Sequence, residues 1–149
     1  MKIAENFSGG KLPAASLNRT ATYLRFSSRN QKLASIQDQL RNVENYCNRM
    51  GLPKPIIFKD EAISGSRNDR PGYVEMLSAA ENKEFDILLV DDLSRMTRDN
   101  IETLTAVRQL KFLGIRVIGV SDGVDTSRKG HKIEVALRGL MNEAYLDTL

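Results

Sequence analysis

The chain is poor in the residues that build covalent cross-links and metal sites. It has one cysteine, Cys47, and one histidine, His131, in 149 residues. A lone cysteine excludes an internal disulfide and fits a reducing, cytoplasmic setting. One Cys and one His do not make an ordinary structural zinc site. No apolar run approaches the roughly 20 residues that cross a bilayer. The opening stretch M-K-I-A-E-N-F-S-G-G-K-L-P-A-A-S lacks the continuous apolar segment of a secretory signal. There is no glycine-rich loop ending in a Lys-Ser or Lys-Thr pair, so nucleoside triphosphate hydrolysis is not expected. Internal repeats and low-complexity tracts are also missing. Secreted, membrane and zinc-finger classes are set aside.

What is present fits one ordinary globular domain with a real core: 41% of residues are apolar and 28% charged. The net charge of +3 is unevenly placed. Through Gln31 there are five basic residues (Lys2, Lys11, Arg19, Arg25, Arg29) against Glu5 alone, leaving 17 basic against 18 acidic residues beyond it. The body of the domain is therefore nearly neutral. Protein that grips DNA by charge alone is more basic than this, so any nucleic-acid contact must come from a local arginine cluster.

Residues 1–19, with Gly9-Gly10 and Pro13, show neither helical nor strand period and are expected to form a flexible arm. Residues 20–149 read as one domain. Thr20–Phe26 is a β-prone run. Ile36, Leu40, Val43, Cys47 and Met50 then recur at helical spacing, with Gly51 and Pro53 as terminators. Ile56–Phe58 is a second strand, followed by a polar loop and a short helix with Tyr73, Met76, Leu77 and Ala80 inward. Phe85–Val90 is apolar enough to be a strand buried on both faces. Asp99 and Glu102 form a capping box for a helix carrying Ile101, Leu104, Val107, Leu110 and Leu113, ended by Gly114. Ile115–Val120 is a fourth strand, and a last helix runs from about His131 to the end. Four alternations of strand and helix predict an α/β, three-layer domain around a mostly parallel sheet of about four strands.

Ligands of such sheets bind at the carboxyl ends of the strands. Strand one is followed by Arg25, Ser27, Ser28 and Arg29. Strand two leads to Asp60, Glu61, Ser64, Ser66, Arg67 and Arg70, and strand three to Asp91, Asp92, Ser94, Arg95 and Arg98. Six arginines thus reach one rim by topology alone. Guanidinium forks suit phosphate oxygens because they are planar, always charged and take two oxygens at once. A serine nucleophile helped by arginines is the chemistry that remains, with no ordinary base in view. Several residues have plainer readings. His131 reads as surface, and Asp91-Asp92 as structural rather than a magnesium site. Tyr23 and Cys47 read as core, and Arg116 as structural. Ser64, Gly65 and Ser66 suit a turn as well as a DNA contact.

The motifs resemble the serine recombinases, the resolvases, invertases and large serine integrases, over residues 20–149. Y-L-R-F-S-S-R-N-Q is similar to that family's Tyr-x-Arg-x-Ser signature, which implies Arg25 as a phosphate ligand and Ser27, not Ser28, as nucleophile. S-I-Q-D-Q implies Gln37 as the active-site glutamine. K-D-E-A-I-S-G-S-R-N-D-R-P-G implies Asp60 and Arg70, and D-D-L-S-R-M-T-R-D implies Arg95 and Arg98. Arg29, Ser64, Arg67 and Ser94 become candidate DNA contacts. Ser94 stands where many small resolvases have an aspartate, and the gap from Ser27 to Gln37 is one residue longer than in them. Both departures resemble the large recombinases.

The resemblance implies a flavodoxin-like resolvase catalytic fold with a long C-terminal helix. It also implies a site-specific DNA recombinase of bacterial or phage origin, working through a 5′-phosphoserine intermediate without metal, ATP or nucleotide cofactor. Its expected partners are double-stranded DNA and further copies of itself, a dimer that becomes a tetramer on synapsed DNA. In the last helix, Ile133, Leu137, Leu140 and Ala144 form one apolar stripe and Leu137, Met141 and Tyr145 another, as a dimerising helix requires. No DNA-reading module follows within the chain. Two alternatives stand beside this reading. One is a flavodoxin-like signalling or phosphate-binding module, which wants acidic residues after strand one, where this chain has Arg-Phe-Ser-Ser. The other is an inactive homologue acting in assembly.

Overall fold

The structure is a computed structural model and describes residues 18–26, 33–61, 70–97, 99–127 and Gly139. Its elements are β1 (Thr20–Arg25), α1 (Leu33–Met50), β2 (Ile56–Asp60), α2 (Pro71–Glu81), β3 (Ile87–Val90), a 3-10 turn (Leu93–Arg95), α3 (Asn100–Phe112) and β4 (Arg116–Gly119). The strands form one sheet in the order β2-β1-β3-β4, and every strand pair is parallel. The chain starts in the middle, goes out to β2, then crosses back past β1 to β3. That reversal leaves a crevice at the carboxyl ends of β1 and β3.

Period-2 alternation divides the core between two faces. Ala21, Tyr23, Leu88, Val90 and Val117 pack under α2 and α3 with Tyr73, Met76, Leu104 and Val107. Ile87, Leu89 and Ile118 meet Val43 and Cys47 of α1 on the other face. The expected three layers are therefore present, and β3 is buried on both sides. Cys47 is a free, buried thiol, pushed up in pKa by burial and then by Glu44. No helix among the described residues is long and apolar enough to cross a membrane. The last helix expected from His131 lies outside the described residues apart from Gly139, as do residues 1–17 of the expected arm. Arg19, at that arm's end, is tied to the domain: its Nε and Nη2 donate to the Asp86 carboxylate at 3.0 and 3.1 Å.

The elements depart from the sequence reading where periodicity is silent about context. β2 continues past Phe58 to Asp60 because backbone pairing with β1 carries on through Leu24–Lys59 and Arg25–Asp60. It is an edge strand, which leaves Ile56 and Ile57 exposed. Met50 is exposed too. Gly51, at φ 70°, reverses the chain so that Leu52 packs on the α1 cluster instead. Ile101 is exposed while Thr103 and Ala106 turn inward, shifting the buried stripe of α3.

The capping box half forms. Asp99 Oδ1 accepts from the Ile101 amide at 2.8 Å, but Glu102 is drawn away to Arg70.

Arg116 bears out its structural reading by gripping Asp125 with Nε at 3.0 Å and Nη2 at 2.7 Å. Burial pushes the Asp125 carboxyl up, but Arg116 together with the Ser127 amide and hydroxyl outweighs this and holds it at about 2. The carboxylate thus stabilises the fold above its unfolded pKa, near 4, and that stability is lost as pH falls towards 2. Because the Arg116 side chain is 39% exposed, solvent screens the pair. Asp125→Asn is expected to cost about 1–2 kcal/mol at neutral pH. Urea unfolding should show the gap to wild type closing between about pH 4 and pH 2; a gap independent of pH would refute the assignment.

Candidate active site

The rim at the carboxyl ends of β1 and β2 is organised by Asp60. Its Oδ1 accepts from the Gly72 amide at 2.8 Å, and its Oδ2 accepts from the Tyr73 amide at 2.9 Å and the Tyr23 hydroxyl at 2.6 Å. Arg70, in the N-cap position of α2, offers no side-chain cap, and Pro71 opens the helix. Asp60 therefore caps α2 from the end of a neighbouring strand, a charge-favourable place at a helix N-terminus. With three donors on its two oxygens, this carboxylate is a fastening point. Burial first, and then the bond to Asp60, keep the Tyr23 hydroxyl protonated far above its ordinary range.

Gly72 is required by the same contact. A Cβ there would lie 2.2 Å from the Lys59 carbonyl oxygen and 2.7 Å from its carbon, both backbone atoms that cannot swing aside. Gly72→Ala should push α2 off β2 and cost about 3 kcal/mol, the upper end for overpacking. An unchanged urea midpoint would show that the helix start accommodates the methyl group.

Arg70 follows the loop after β2. Its Nη1 donates to Glu102 Oε1 at 2.9 Å and its Nη2 to Glu102 Oε2, and its guanidinium carbon sits 4.5 Å from the Tyr73 ring centroid. The hydrogen bond to Glu102 is the main reason that its pKa is raised further. Tyr73 in turn meets Tyr23 edge-on, with ring centroids 5.5 Å apart. A continuous chain of contacts thus runs from Asp60 through Tyr23 and Tyr73 to Arg70 and Glu102. Tyr23, read from sequence as core, is 2% exposed and also belongs to this wall.

At the crevice between β1 and β3, α1 supplies two amides. Gln39 Nε2 donates to the Arg25 carbonyl at 2.9 Å, and Asn42 Nδ2 donates to Asp91 Oδ1 at 3.0 Å. Gln37, the glutamine singled out in the sequence, lies exposed on the same helix. Asp91 also accepts from the Ser121 hydroxyl at 2.8 Å, and Asp122 Oδ2 accepts from the Leu93 amide at 2.8 Å. Burial raises the Asp122 pKa despite that bond. Ser94 gives its hydroxyl and its amide to Asp92 Oδ1, at 2.7 and 2.9 Å, closing the 3-10 turn that carries Arg95 at its end. The acidic residues after β3 and β4 are thus occupied in holding loops together. Among the described residues no group of three or more potential ligands could hold a metal ion.

The structure brings Arg25, Asp60 and Arg70 to one rim, and the turn ending in Arg95 follows the neighbouring β3. Ser27, Ser28, Arg29, Ser64, Arg67 and Arg98 lie outside the described residues. The sequence reading missed Gln39, Asn42 and the use of Glu102; it placed Tyr73 inward on α2, as found, without its contact to Arg70. Gln39 shares the S-I-Q-D-Q segment with Gln37 and Glu102 was visible as half of a capping box, whereas Asn42 had no signal.

The chain matches the family model described as Resolvase, N terminal domain, over residues 20–149. It is 31% identical over 104 residues to the transposon Tn3 resolvase of Escherichia coli, covering 70% of this chain and 51% of that protein. To the R46 site-specific recombinase of the same organism it is 30% identical over 94 residues, covering 63% and 48%. The chain therefore spans about half the length of the curated relatives it matches. Among solved structures it resembles the N-terminal catalytic domain of TP901-1 integrase, with a TM-score of 0.71, 28% identity and coverage of 87% of this chain and 96% of that one. A resolvase family site-specific recombinase from Streptococcus pneumoniae shares the fold, with a TM-score of 0.72, 21% identity and 87% coverage of each chain.

Proposed function

Because the chain belongs to the resolvase family of serine recombinases, we propose that it is the catalytic domain of a site-specific DNA recombinase with Ser27 as its nucleophile. The Ser27 oxygen attacks a backbone phosphorus, the bond to the 3′ oxygen breaks, and that oxygen leaves as a 3′-hydroxyl. A 5′-phosphoserine link remains, and attack by a partner strand's 3′-hydroxyl reverses the step and frees Ser27. Each bond broken is replaced by one of the same kind, so no ATP is needed. Arg25, Arg70, Arg95 and Arg98 stabilise charge on the non-bridging oxygens in place of a metal ion. Asp60 acts by holding α2 and the Tyr23–Tyr73 wall behind Arg70. Arg29, Ser64 and Arg67 belong to the surface that meets the DNA backbone. Further copies of the chain complete a dimer, and a tetramer on paired sites.

The observation that carries this reading is positional. Arg25 ends β1 two residues before Ser27, at the switch of strand order, and the neighbouring strand β2 delivers Asp60 and Arg70 to the same rim. The test is to mix full-length protein with DNA bearing its site and quench the reaction midway. Protein joined to 5′ ends, free 3′-hydroxyls and equal yield in EDTA are expected. Free 5′-phosphate ends, or cleavage that stops with EDTA, would overturn the mechanism.

A further inference from the structure

Glu102 is bound to Arg70 in a way that uses only part of the guanidinium. The two terminal nitrogens each give one N–H to the carboxylate. Arginine has five N–H donors, so Nε–H and one N–H on each terminal nitrogen remain, with no acceptor for them among the described residues. The two side chains are 29% and 36% exposed, which leaves the free edge within reach of a ligand.

We propose that Glu102 is a positioning residue for strand cleavage: it stays bound to the tip of Arg70 and presents the Nε edge to the phosphodiester. This rests on the recombinase reading above. Three features argue that the carboxylate stays when DNA arrives. Glu102 sits in the first turn of α3, which Asp99 caps through the Ile101 amide. Arg70 is held from its face by Tyr73, whose own amide is fixed by Asp60. The pair also ties the segment after β2 to the helix that follows the Arg95 turn, so two arginine-bearing segments share one frame. A guanidinium ordered in advance loses less freedom when it binds.

The test combines guanidinium NMR on the 149-residue chain with single-turnover cleavage by the full-length protein. Separate terminal-nitrogen signals are expected for Arg70 in wild type and a merged signal in Glu102→Gln. A short DNA duplex should shift the Arg70 Nε–H and leave the terminal signals separate. Glu102→Gln should slow cleavage about tenfold to a hundredfold without weakening DNA binding, and Glu102→Asp, which keeps the carboxylate, should recover part of the rate. In an Arg70→Ala background the same change should have little further effect. Faster cleavage by Glu102→Gln would overturn the proposal, as would terminal signals that merge on adding DNA. Its full loss persisting without Arg70 would do the same. If wild-type full-length protein forms no adduct with DNA bearing its site, the recombinase reading fails and this one with it.

Discussion

Ser27→Ala in the full-length protein is expected to abolish the covalent link to DNA, while Ser28→Ala leaves it intact. Removing the nucleophile of a serine enzyme costs on the order of a millionfold in rate, far beyond any indirect effect of a surface serine. Ser27 rather than Ser28 is what the family resemblance implies, because its signature sets the nucleophile two residues after the arginine, here Arg25. Tyr23 and Arg25 are two apart in β1 and share a face, the face on which Tyr23 meets Asp60 and Tyr73. Trapping the adduct, digesting it and locating the modified residue by mass spectrometry decides the matter. An adduct on Ser28 would move the nucleophile by one residue. An intact adduct in Ser27→Ala would remove the serine mechanism, and binding without any adduct in wild type would favour an inactive assembly homologue.

Arg70→Lys is expected to slow cleavage by roughly a hundredfold to a thousandfold, the usual cost of losing one preset donor at a transition state. Lysine keeps the charge but has a single nitrogen. It cannot hold both oxygens of Glu102, cover Tyr73 and still offer an edge to phosphate. Arg25, Arg95 and Arg98 are expected to resist lysine in the same way, whereas Arg29→Ala and Arg67→Ala should be far milder. Cleavage rates measured on proteins with matched circular dichroism would test the contrast. Six similar losses would mean that diffuse positive charge, rather than a built site, does the work.

The layered fold was legible because its signals are local. I-L-L-V reads as a doubly buried strand whatever surrounds it, and Gly51 and Gly114 announce their helix ends with the positive φ they adopt, 70° and 83°. Contacts between distant segments were not legible. Nothing in the sequence pairs Arg70 with Glu102, 32 residues away, and the Asp99-x-x-Glu102 pattern pointed to a purely local cap. Asp60 was visible as a candidate, but its grip on the Gly72 and Tyr73 amides depends on where α2 returns to the sheet. That Gln39 reaches the Arg25 carbonyl depends on helix rotation, which an apolar stripe fixes only coarsely. Ile56 and Ile57 look like core in any window, because periodicity does not distinguish an edge strand from a central one.

The two fastenings around residues 62–69 have a consequence for which stretch of the chain tolerates change. Asp60 anchors the chain as it leaves β2, and Glu102 anchors it again at Arg70 as it returns. Nine residues, 61–69, lie between these posts. Closing a longer span between fixed ends is inexpensive, about 0.6 kcal/mol for each doubling of length. Changes of length there are therefore expected to cost little stability while Asp60 and Glu102 hold the two ends. Asp60 and Glu102 hold the frame, which makes 62–69 the stretch to exchange when sequence or length is to be varied without moving Arg70.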